Sequence, residues 1–324
     1  MRVWLSTFAR AGRTHIVGRQ AEESGFDGIL LTDSQCLVAD PFVELAAVAD
    51  ATTDLLLGTC ATNTVVRHPT VLAASATTLQ VRSGGRMVLG VGRGDSAVAK
   101  VGLHPATPEE FGESLADLRA LVGGREVAFD DHRASLAWLD GEVPPVPVFG
   151  VASGPHAIEA CAHNADGLIL QVGSDPAAVR RCTELARTNQ RSADFIIAVY
   201  AIVGLHDGQA SAPPIDGVTP LLARMAAGTL ADHSSPQAEA AAEAARSYRL
   251  ETHGLEAAGA GHPEIEDYAV TGDAEHCAAL LLELAEAGGD ELVVILGSAT
   301  TPTSELLELI KAFGEQVRPR LARA

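Results

Sequence analysis

Eight short apolar runs, each followed by a stretch with helical periodicity, occupy most of this 324-residue chain. The runs lack strict polar alternation, as expected for strands that are buried on both faces of a parallel sheet. They span residues 2–8, 28–32, 55–61, 87–91, 146–151, 167–172, 195–203 and 291–296. Eight strands that alternate with helices indicate a (β/α)8 TIM barrel, and chains of this length commonly form one as a single domain.

The stretches between the runs carry apolar residues at the 3.6-residue spacing of an α-helix. Several begin with proline directly after a capping residue, as at Asp40-Pro41 and Asp175-Pro176. The predicted helices span residues 14–24, 41–51, 69–81, 108–121, 155–163, 176–189, 274–287 and 304–321. Each predicted strand is therefore followed by a helix, which is the repeating unit of the barrel.

Two segments depart from this alternation. Residues 125–139 are predicted to form a short hairpin before the fifth strand, with Asp130-Asp131 at its turn. Residues 207–263 form a long insertion after the seventh strand, rich in Pro and Gly and then in Ala and Glu. Insertions on this side of a barrel lie over the active site, so the segment is a candidate lid. An oligomer interface or a tolerated excursion is an equal alternative. We expect one domain, residues 1–324.

The charge and composition exclude several functional classes. The formal net charge is −19 and Lys and Arg form no cluster, which is unfavourable for binding DNA, RNA or an anionic membrane. Aromatic residues make up only 4% of the chain, too few for a surface that stacks on nucleic-acid bases. No apolar run approaches the roughly 20 residues that a membrane span requires. The acidic composition also favours a small-molecule substrate that is not strongly anionic.

The cysteines and the N-terminus indicate the compartment. The five cysteines, at positions 36, 60, 161, 182 and 277, are dispersed and have no histidine at ligand spacing. We therefore expect reduced thiols and no metal site. A strand-like segment begins at Arg2, which leads us to expect no signal peptide and a cytoplasmic protein.

The most specific strand end is Gly-Val-Gly-Arg-Gly-Asp at residues 90–95. Chemistry in a barrel lies at the carboxyl ends of the strands. Glycines there indicate a ligand that touches the backbone, or a turn with positive φ. Gly92, Arg93 and Gly94 are therefore candidate ligand contacts. Asp95 is the best-placed proton donor, provided that desolvation raises its pKa toward neutrality.

The ends of the second and third strands offer an acid and a set of small residues. Asp33 faces the mouth, where it could accept from a ring N–H or a hydroxyl; a helix cap or an internal ion pair is the equal alternative. Thr59, Cys60 and Ala61 would let a planar ligand approach the backbone, or would simply pack the barrel interior. For Arg67 we favour pairing with a neighbouring carboxylate over an anion site.

The end of the fifth strand, Ala152-Ser153-Gly154, leads directly into a helix. The free backbone N–H groups at a helix N-terminus form an anion site suited to a cofactor phosphate. Ser153 would also serve as a plain N-cap, and the two roles are compatible. No serine elbow, zinc-binding helix or P-loop motif is present in the chain.

These segments together resemble the bacterial luciferase-like superfamily. The resemblance is carried by Leu-Gly-Thr-Cys-Ala-Thr-Asn at 57–63, Arg-His-Pro at 67–69, Ser-Gly-Gly-Arg at 83–86 and Leu-Gly-Val-Gly-Arg-Gly-Asp at 89–95. It continues through Ser-Gly-Pro at 153–155 to the closing helix, and so covers nearly the whole chain. The chain is most similar to the deazaflavin-dependent branch, which contains methylenetetrahydromethanopterin reductase and glucose-6-phosphate dehydrogenase.

The resemblance implies a cofactor ring in the barrel mouth, backed by a bulge with a non-prolyl cis peptide within Thr59, Cys60 and Ala61. It places Asp33 at the cofactor's tail or ring edge and residues 92–95 on the other side of the ring. It gives Asp95 the role of the acid that protonates the substrate. The implied partners are a small-molecule substrate and a second copy of the chain in a homodimer.

Two departures from the relatives narrow the implied reaction. Ser34 stands where alcohol-oxidising relatives carry a basic His, and Ser6 stands where the pterin reductase carries a carboxylate. The departures favour reduction of an activated C=N or C=C bond by hydride from reduced coenzyme F420, with a proton from Asp95. The alternatives are a monooxygenase that uses reduced FMN and O2, and a flavin-binding barrel without turnover; the same fold serves all three.

Overall fold

A computed structural model of the protein describes residues 1–94, 96–139, 141, 143–206 and 269–322. The described strands are β1 (Arg2–Phe8), β2 (Gly28–Thr32), β3 (Leu56–Thr59), β4 (Met87–Val91), β5 (Val127–Phe129), β6 (His132–Ala134), β7 (Val148–Ala152), β8 (Gly167–Leu170), β9 (Ile196–Leu205), β10 (Val270–Gly272) and β11 (Glu291–Ile295). Eight of them form a parallel ring in the order β1-β2-β3-β4-β7-β8-β9-β11. The ring is closed because β11 pairs with β1. The predicted TIM barrel is confirmed.

Helices pack around the ring. They are α1 (Thr14–Glu23), α2 (Pro41–Ala51), α3 (Pro69–Arg82), α4 (Ser96–Ala99), α5 (Pro108–Val122), α6 (Pro155–Asn164), α7 (Pro176–Asn189), α8 (Ala274–Glu286), α9 (Thr303–Gln316) and α10 (Arg318–Leu321). The carboxylates of Asp40 and Asp175 accept from backbone N–H groups in the first turns of α2 and α7, as their sequences predict. Local capping therefore fixes where these helices begin.

The elements differ from the sequence prediction in a few places. All eight barrel strands lie within two residues of their predicted bounds, and the hairpin forms from β5 and β6 with Asp130 at φ 50° in its turn. The prediction of one continuous closing helix at 304–321 is wrong, because the segment forms two helices, α9 and α10, that are divided at Val317. Pro319 has no N–H group to continue the helical hydrogen bonds. The short elements α4 and β10 were not predicted, and the insertion predicted at 207–263 lies outside the described residues.

Apolar side chains form two layers, one inside the barrel and one between barrel and helices. Because successive side chains of a strand point to opposite faces, Val3 and Leu5 of β1 join the outer layer, whereas Trp4 and Phe8 face the interior. At the amino-terminal end of the barrel, the indole Nε1 of Trp4 donates to Glu291 (2.6 Å). This packing closes the bottom of the barrel, so a ligand site belongs at the carboxyl ends of the strands.

Metal-binding clusters, membrane-spanning helices and disulfides are absent from the described part of the chain. No group of His, Cys, Asp or Glu in these ranges is arranged to hold a metal ion. None of the helices in the same ranges has the length and apolarity needed to cross a bilayer. The five cysteines are free thiols, and four of them are buried.

Candidate active site in the barrel mouth

The ends of β3 and β4 are joined by side-chain and main-chain hydrogen bonds. The hydroxyl of Thr59 donates to the carbonyl oxygen of Gly90 (2.8 Å) and accepts from the Gly90 N–H (3.1 Å). A Cβ atom at position 90 would lie 2.0 Å from the carbonyl oxygen of Thr59, so only glycine fits there. Beyond this contact the Cys60–Ala61 peptide is cis, in the segment that the resemblance implied.

Small residues leave the backbone accessible just above this junction. Ala61 and Gly92 are both half-buried, and a Cβ atom at position 92 would lie 3.3 Å from the Cβ atom of Ala61. The N–H group of Gly92 donates to the carbonyl oxygen of Thr62 (2.8 Å), which ties the two strand ends together. The surface at this point is therefore shaped by main chain and by one methyl group, and it suits a flat ligand.

Cys60 is part of the floor of the mouth. Its side chain is buried, and burial raises the pKa of the thiol to about 12. At neutral pH the sulfur is protonated, so it is neither a nucleophile nor a metal ligand. Its Sγ atom accepts a weak hydrogen bond from Nε2 of Gln171 (3.8 Å) on the far side of the barrel. Cys60 therefore contributes shape rather than charge.

Asp33 lies in the mouth, but its carboxylate is already engaged by the protein. It accepts from the hydroxyl of Thr62 (2.7 Å) and from Nε of Arg67 (2.8 Å). The Nη2 atom of Arg67 also donates to Asp40 (2.7 Å). The sequence left three roles open for Asp33, namely ligand contact, helix cap and internal ion pair, and the structure shows the ion pair. The Arg67 pairing favoured from the sequence is confirmed.

The loop after β4 is fastened at both of its ends. Nε of Arg93 donates to the carbonyl oxygen of Ala106 (2.5 Å), and the N–H group of Ala106 donates back to the carbonyl oxygen of Arg93 (2.9 Å). Gly94 has φ +92°, and a Cβ atom there would lie 2.3 Å from Val98. Arg93 and Gly94 thus shape the loop, whatever they also contact. Asp95, the predicted proton donor, lies outside the described residues.

A contact between two serines brings the loop after β4 to the end of β2. The hydroxyl oxygens of Ser34 and Ser96 are 3.1 Å apart, and both side chains are buried. Ser34 follows Asp33 in the chain and Ser96 follows Asp95. Position 34, where the resemblance implied a basic His in alcohol-oxidising relatives, therefore carries a hydroxyl that contacts the start of α4.

The first turn of α6 has no side-chain cap. Its N-cap is Gly154 rather than Ser153, and no side chain accepts from the first backbone N–H groups. Proline occupies the next position, so the N–H groups of His156 and Ala157 lead the turn without an intrahelical acceptor. A Cβ atom at Gly154 would meet nothing within 4 Å, and Ser153 is half-buried. Ala152, the last residue of β7, accepts from the N–H group of Gln171 (3.0 Å).

Comparison with known proteins gives the family. The model of the family described as "Luciferase-like monooxygenase" matches residues 3–291. The chain belongs to this luciferase-like family. A 5,10-methylenetetrahydromethanopterin reductase of Methanolobus tindarius is 26% identical over 314 residues, which are 92% of this chain and 93% of that protein. An F420-dependent glucose-6-phosphate dehydrogenase of Nakamurella multipartita is 34% identical over 175 residues, which are 48% of this chain and 51% of that one.

Solved structures of luciferase-like proteins share the fold. The coenzyme F420 dependent tetrahydromethanopterin reductase of Methanopyrus kandleri matches with a TM-score of 0.74 at 19% identity, over 99% of both chains. The monooxygenase RslO1 of Streptomyces bottropensis matches with a TM-score of 0.69 at 21% identity, over 98% of this chain and 99% of that one. The family inferred from the strand-end motifs is confirmed, and its relatives include F420-dependent reductases and dehydrogenases.

The predicted cofactor-binding residues of this luciferase-like chain lie on one side of the mouth. They follow β2, β3, β4 and β7, which are neighbours in the ring. The structure therefore brings the described members of the predicted set into one continuous arc, although the side chains of Asp33, Thr59 and Arg93 are engaged by other parts of the protein. Their roles toward a cofactor stay predictions.

The opposite side of the mouth holds polar residues that the sequence did not single out as site residues. The hydroxyl groups of Ser6 on β1 and Tyr200 on β9 lie close together, and burial raises the pKa of Tyr200, so its phenol is neutral. Gln171 follows β8 and reaches Cys60 across the barrel. The signal was available: Ser6 and Tyr200 share the inward parity of Trp4 and Ile202 on their strands.

Proposed function

We propose that this protein is an F420-dependent reductase that transfers hydride to an activated C=N or C=C bond of a small or natural-product substrate. The observation that carries the proposal is the match to the Methanolobus tindarius reductase, which extends over 92% of the chain. The local geometry supports it, because β3 and β4 end in a surface formed by main chain and small side chains. The proposal includes a homodimer and a cytoplasmic location.

The residues in the mouth fit a deazaflavin with a phosphate-bearing tail. A side chain at position 92 would fill the space beside Ala61, and glycine leaves that space to a ring. In our proposal Thr59, Cys60 and Ala61 lie behind the ring, and Gly92 and Gly94 lie beside it. The uncapped N–H groups that follow Gly154 would donate hydrogen bonds to the phosphate. When bound in its reduced form, the cofactor supplies the hydride.

The chain's own residues supply the proton and exclude water. Reduction of a C=N or C=C bond adds a hydride to one atom and a proton to the other. In the proposal Asp95 gives that proton and regains one from solvent after product release. The hydroxyls of Ser6 and Tyr200 are neutral hydrogen-bonding groups on the opposite side of the mouth. Below them, the apolar barrel interior closes the site to water from the far end.

The cofactor assignment is tested by titration of the purified protein with F420 and, separately, with FMN, followed by ligand fluorescence. We expect F420 to bind at least tenfold more tightly than FMN. A preference for FMN would favour the monooxygenase alternative, which the family's description and the fold match to RslO1 also support. Binding of neither cofactor would point to a barrel without turnover.

The proton donor is tested with Asp95→Asn. We expect turnover to fall at least tenfold, a rise of about 1.4 kcal/mol in the activation barrier, while affinity for F420 stays nearly unchanged. Turnover would be measured as oxidation of reduced F420 with the most reactive member of a panel of cyclic imines and activated alkenes. Asp131→Asn, in the exposed turn of the β5–β6 hairpin, is the matched control. Equal turnover of the Asp95 variant and the wild type would remove Asp95 from this role.

A further inference from the structure

Arg10 carries a buried guanidinium edge that nothing in the described part of the chain satisfies. It lies two residues beyond β1, at the mouth end of the barrel. Its Nε and Nη2 atoms are buried and have no hydrogen-bond acceptor. The other partly buried arginines around the mouth and barrel are satisfied. Arg67 binds two carboxylates, Arg86 donates to main-chain carbonyls, and Arg93 donates to Ala106.

An enclosed cation without an acceptor is an unfavourable arrangement, because burial removes its hydration and nothing replaces it. Burial lowers the pKa of Arg10, and no carboxylate among the described residues offsets the effect. For Arg67 burial acts in the same direction, but the hydrogen bonds and charges of Asp33 and Asp40 outweigh it and the pKa is raised. Within the described part of the chain, the Arg10 site therefore has the cation of an ion pair and no anion to match it.

The loop that carries Arg10 is held in a fixed conformation. The N–H group of Arg10 donates to the hydroxyl of Thr14 (2.8 Å), and that hydroxyl donates to the carbonyl oxygen of Arg10 (3.0 Å). The buried carboxylate of Glu44 accepts from the N–H group of Gly12 (2.7 Å) and from the N–H group of Thr14 (3.3 Å). This carboxylate is thus directed to main-chain amides, and it is not a partner of the Arg10 guanidinium.

Barrel topology places Arg10 at the mouth end, opposite the start of α6. Phe8, the last residue of β1, faces the barrel interior, and Arg10 lies in the loop that follows it. β1 and β7 are four strands apart in a ring of eight, so Arg10 and Gly154 follow strands on opposite sides. A cofactor phosphate at α6 would therefore lie across the mouth from Arg10.

We propose that Arg10 binds a carboxylate or phosphate group of the substrate, so that the enzyme acts on an anionic compound. This inference rests on the proposed function. It reverses the expectation, based on the acidic composition, that the substrate is not strongly anionic. The guanidinium fork presents two parallel N–H donors to two oxygens of such a group, which fixes the substrate's orientation as well as its position.

The test uses two anions as probes, inorganic phosphate and glutarate, titrated calorimetrically into the full chain with and without F420. Three variants are compared with the wild type: Arg10→Met, Arg10→Lys and Arg13→Met. Arg13 is exposed on the same loop, so Arg13→Met removes an equal charge without touching the proposed site. We expect Arg10→Met to weaken binding of at least one probe tenfold or more, Arg10→Lys to weaken it less, and Arg13→Met to leave it within twofold.

A second arm separates the substrate from the cofactor tail as the source of the anion. F420 is compared with the same deazaflavin lacking the phosphate and glutamate tail. If Arg10→Met weakens F420 tenfold and leaves the tailless deazaflavin unchanged, the anion belongs to the cofactor and the inference is overturned. It is also overturned if neither probe binds the wild type, or if Arg10→Met binds both probes as the wild type does. Because the calorimetric readout needs no turnover, failure of the proposed reduction would be seen separately.

Discussion

Gly90→Ala is expected to lower the free energy of unfolding by about 3 kcal/mol or more and to abolish cofactor binding. The added Cβ atom would lie 2.0 Å from the carbonyl oxygen of Thr59. Enlarging a residue in a packed core typically costs about 1–3 kcal/mol, because side chains must leave their rotamers. Here the obstacle is main chain of a neighbouring strand. Relief requires β3 and β4 to separate at the end where Thr59 now bonds both backbone groups of Gly90.

The loss would be measured by urea denaturation followed by circular dichroism, with F420 titration of the remaining folded protein. Gly84→Ala is the matched control. Gly84 has φ +67°, and a Cβ atom there would meet nothing within 4 Å. Its replacement carries only the left-handed backbone penalty of about 1–2 kcal/mol. Similar losses for the two variants would mean that the β3–β4 junction can open without consequence, and the proposed ring site would lose its rigid wall.

The junction also shows how far the sequence predicts this site. The strand-end motifs identified Thr59 and the glycines from residue 90 onward, because small residues at the end of a predicted strand can be recognised from the sequence alone. The sequence did not show that the Thr59 hydroxyl is used to hold Gly90. That contact depends on the register between two strands, which sets which atoms meet. The sequence thus drew attention to residues that meet at this junction, while the contacts between them depend on the fold.

Residues on the far side of the mouth were missed for a related reason. Gln171 contacts Cys60 although 111 positions separate them in the sequence, and only the closed barrel brings the two residues together. Arg10 and Tyr200 stand alone in their segments, without a motif around them. The inward parity of β9, applied to polar residues, would have singled out Tyr200, whereas Arg10 lies in the loop beyond β1, where no such parity holds. By contrast, Asp33 and Arg67 follow neighbouring strands, and the sequence favoured a carboxylate partner for Arg67 without naming Asp33 as that partner.

Arg67→Met is expected to lower the free energy of unfolding at neutral pH by about 3–5 kcal/mol, the usual consequence of leaving a buried charge without its partner. The side chain of Asp33 is only 1% exposed. Without Arg67 its carboxylate keeps the hydroxyl of Thr62 and loses its cation. Methionine is chosen because the Arg67 guanidinium lies over the ring of Phe42, 5.3 Å from its centre, and an apolar side chain preserves that contact.

A second substitution separates the lost ion pair from lost packing. In the double variant Arg67→Met with Asp33→Asn, the buried position 33 carries no unpaired charge. Asp40 also loses Arg67, but it is 40% exposed and keeps its two backbone hydrogen bonds, so we expect most of the stability to return. Urea is the suitable denaturant, since guanidinium chloride would screen the pair. If the double variant is no more stable than Arg67→Met alone, the loss comes from packing around Phe42 and the buried charge is not its cause.

The pH dependence of the stability lost in Arg67→Met is an independent test of the ion pair. Burial raises the pKa of Asp40, but the hydrogen bonds from Arg67 and from two backbone N–H groups lower it by more. The net shift of the Asp40 pKa is therefore downward. A lowered carboxyl pKa adds stability above the unfolded value of about 3.9, and this stability is lost as the pH falls through the folded value. The difference between wild type and Arg67→Met should therefore be largest at neutral pH and narrow below about pH 4. Arg82→Met breaks an ion pair with Asp50 whose side chains are 51% and 56% exposed, so water screens it and the loss of stability should be far smaller than for Arg67→Met. If the Arg67 and Arg82 variants lost equal amounts of stability, water would have access to Asp33. The Asp33–Arg67 pair would then not be a buried ion pair beside the proposed ring site.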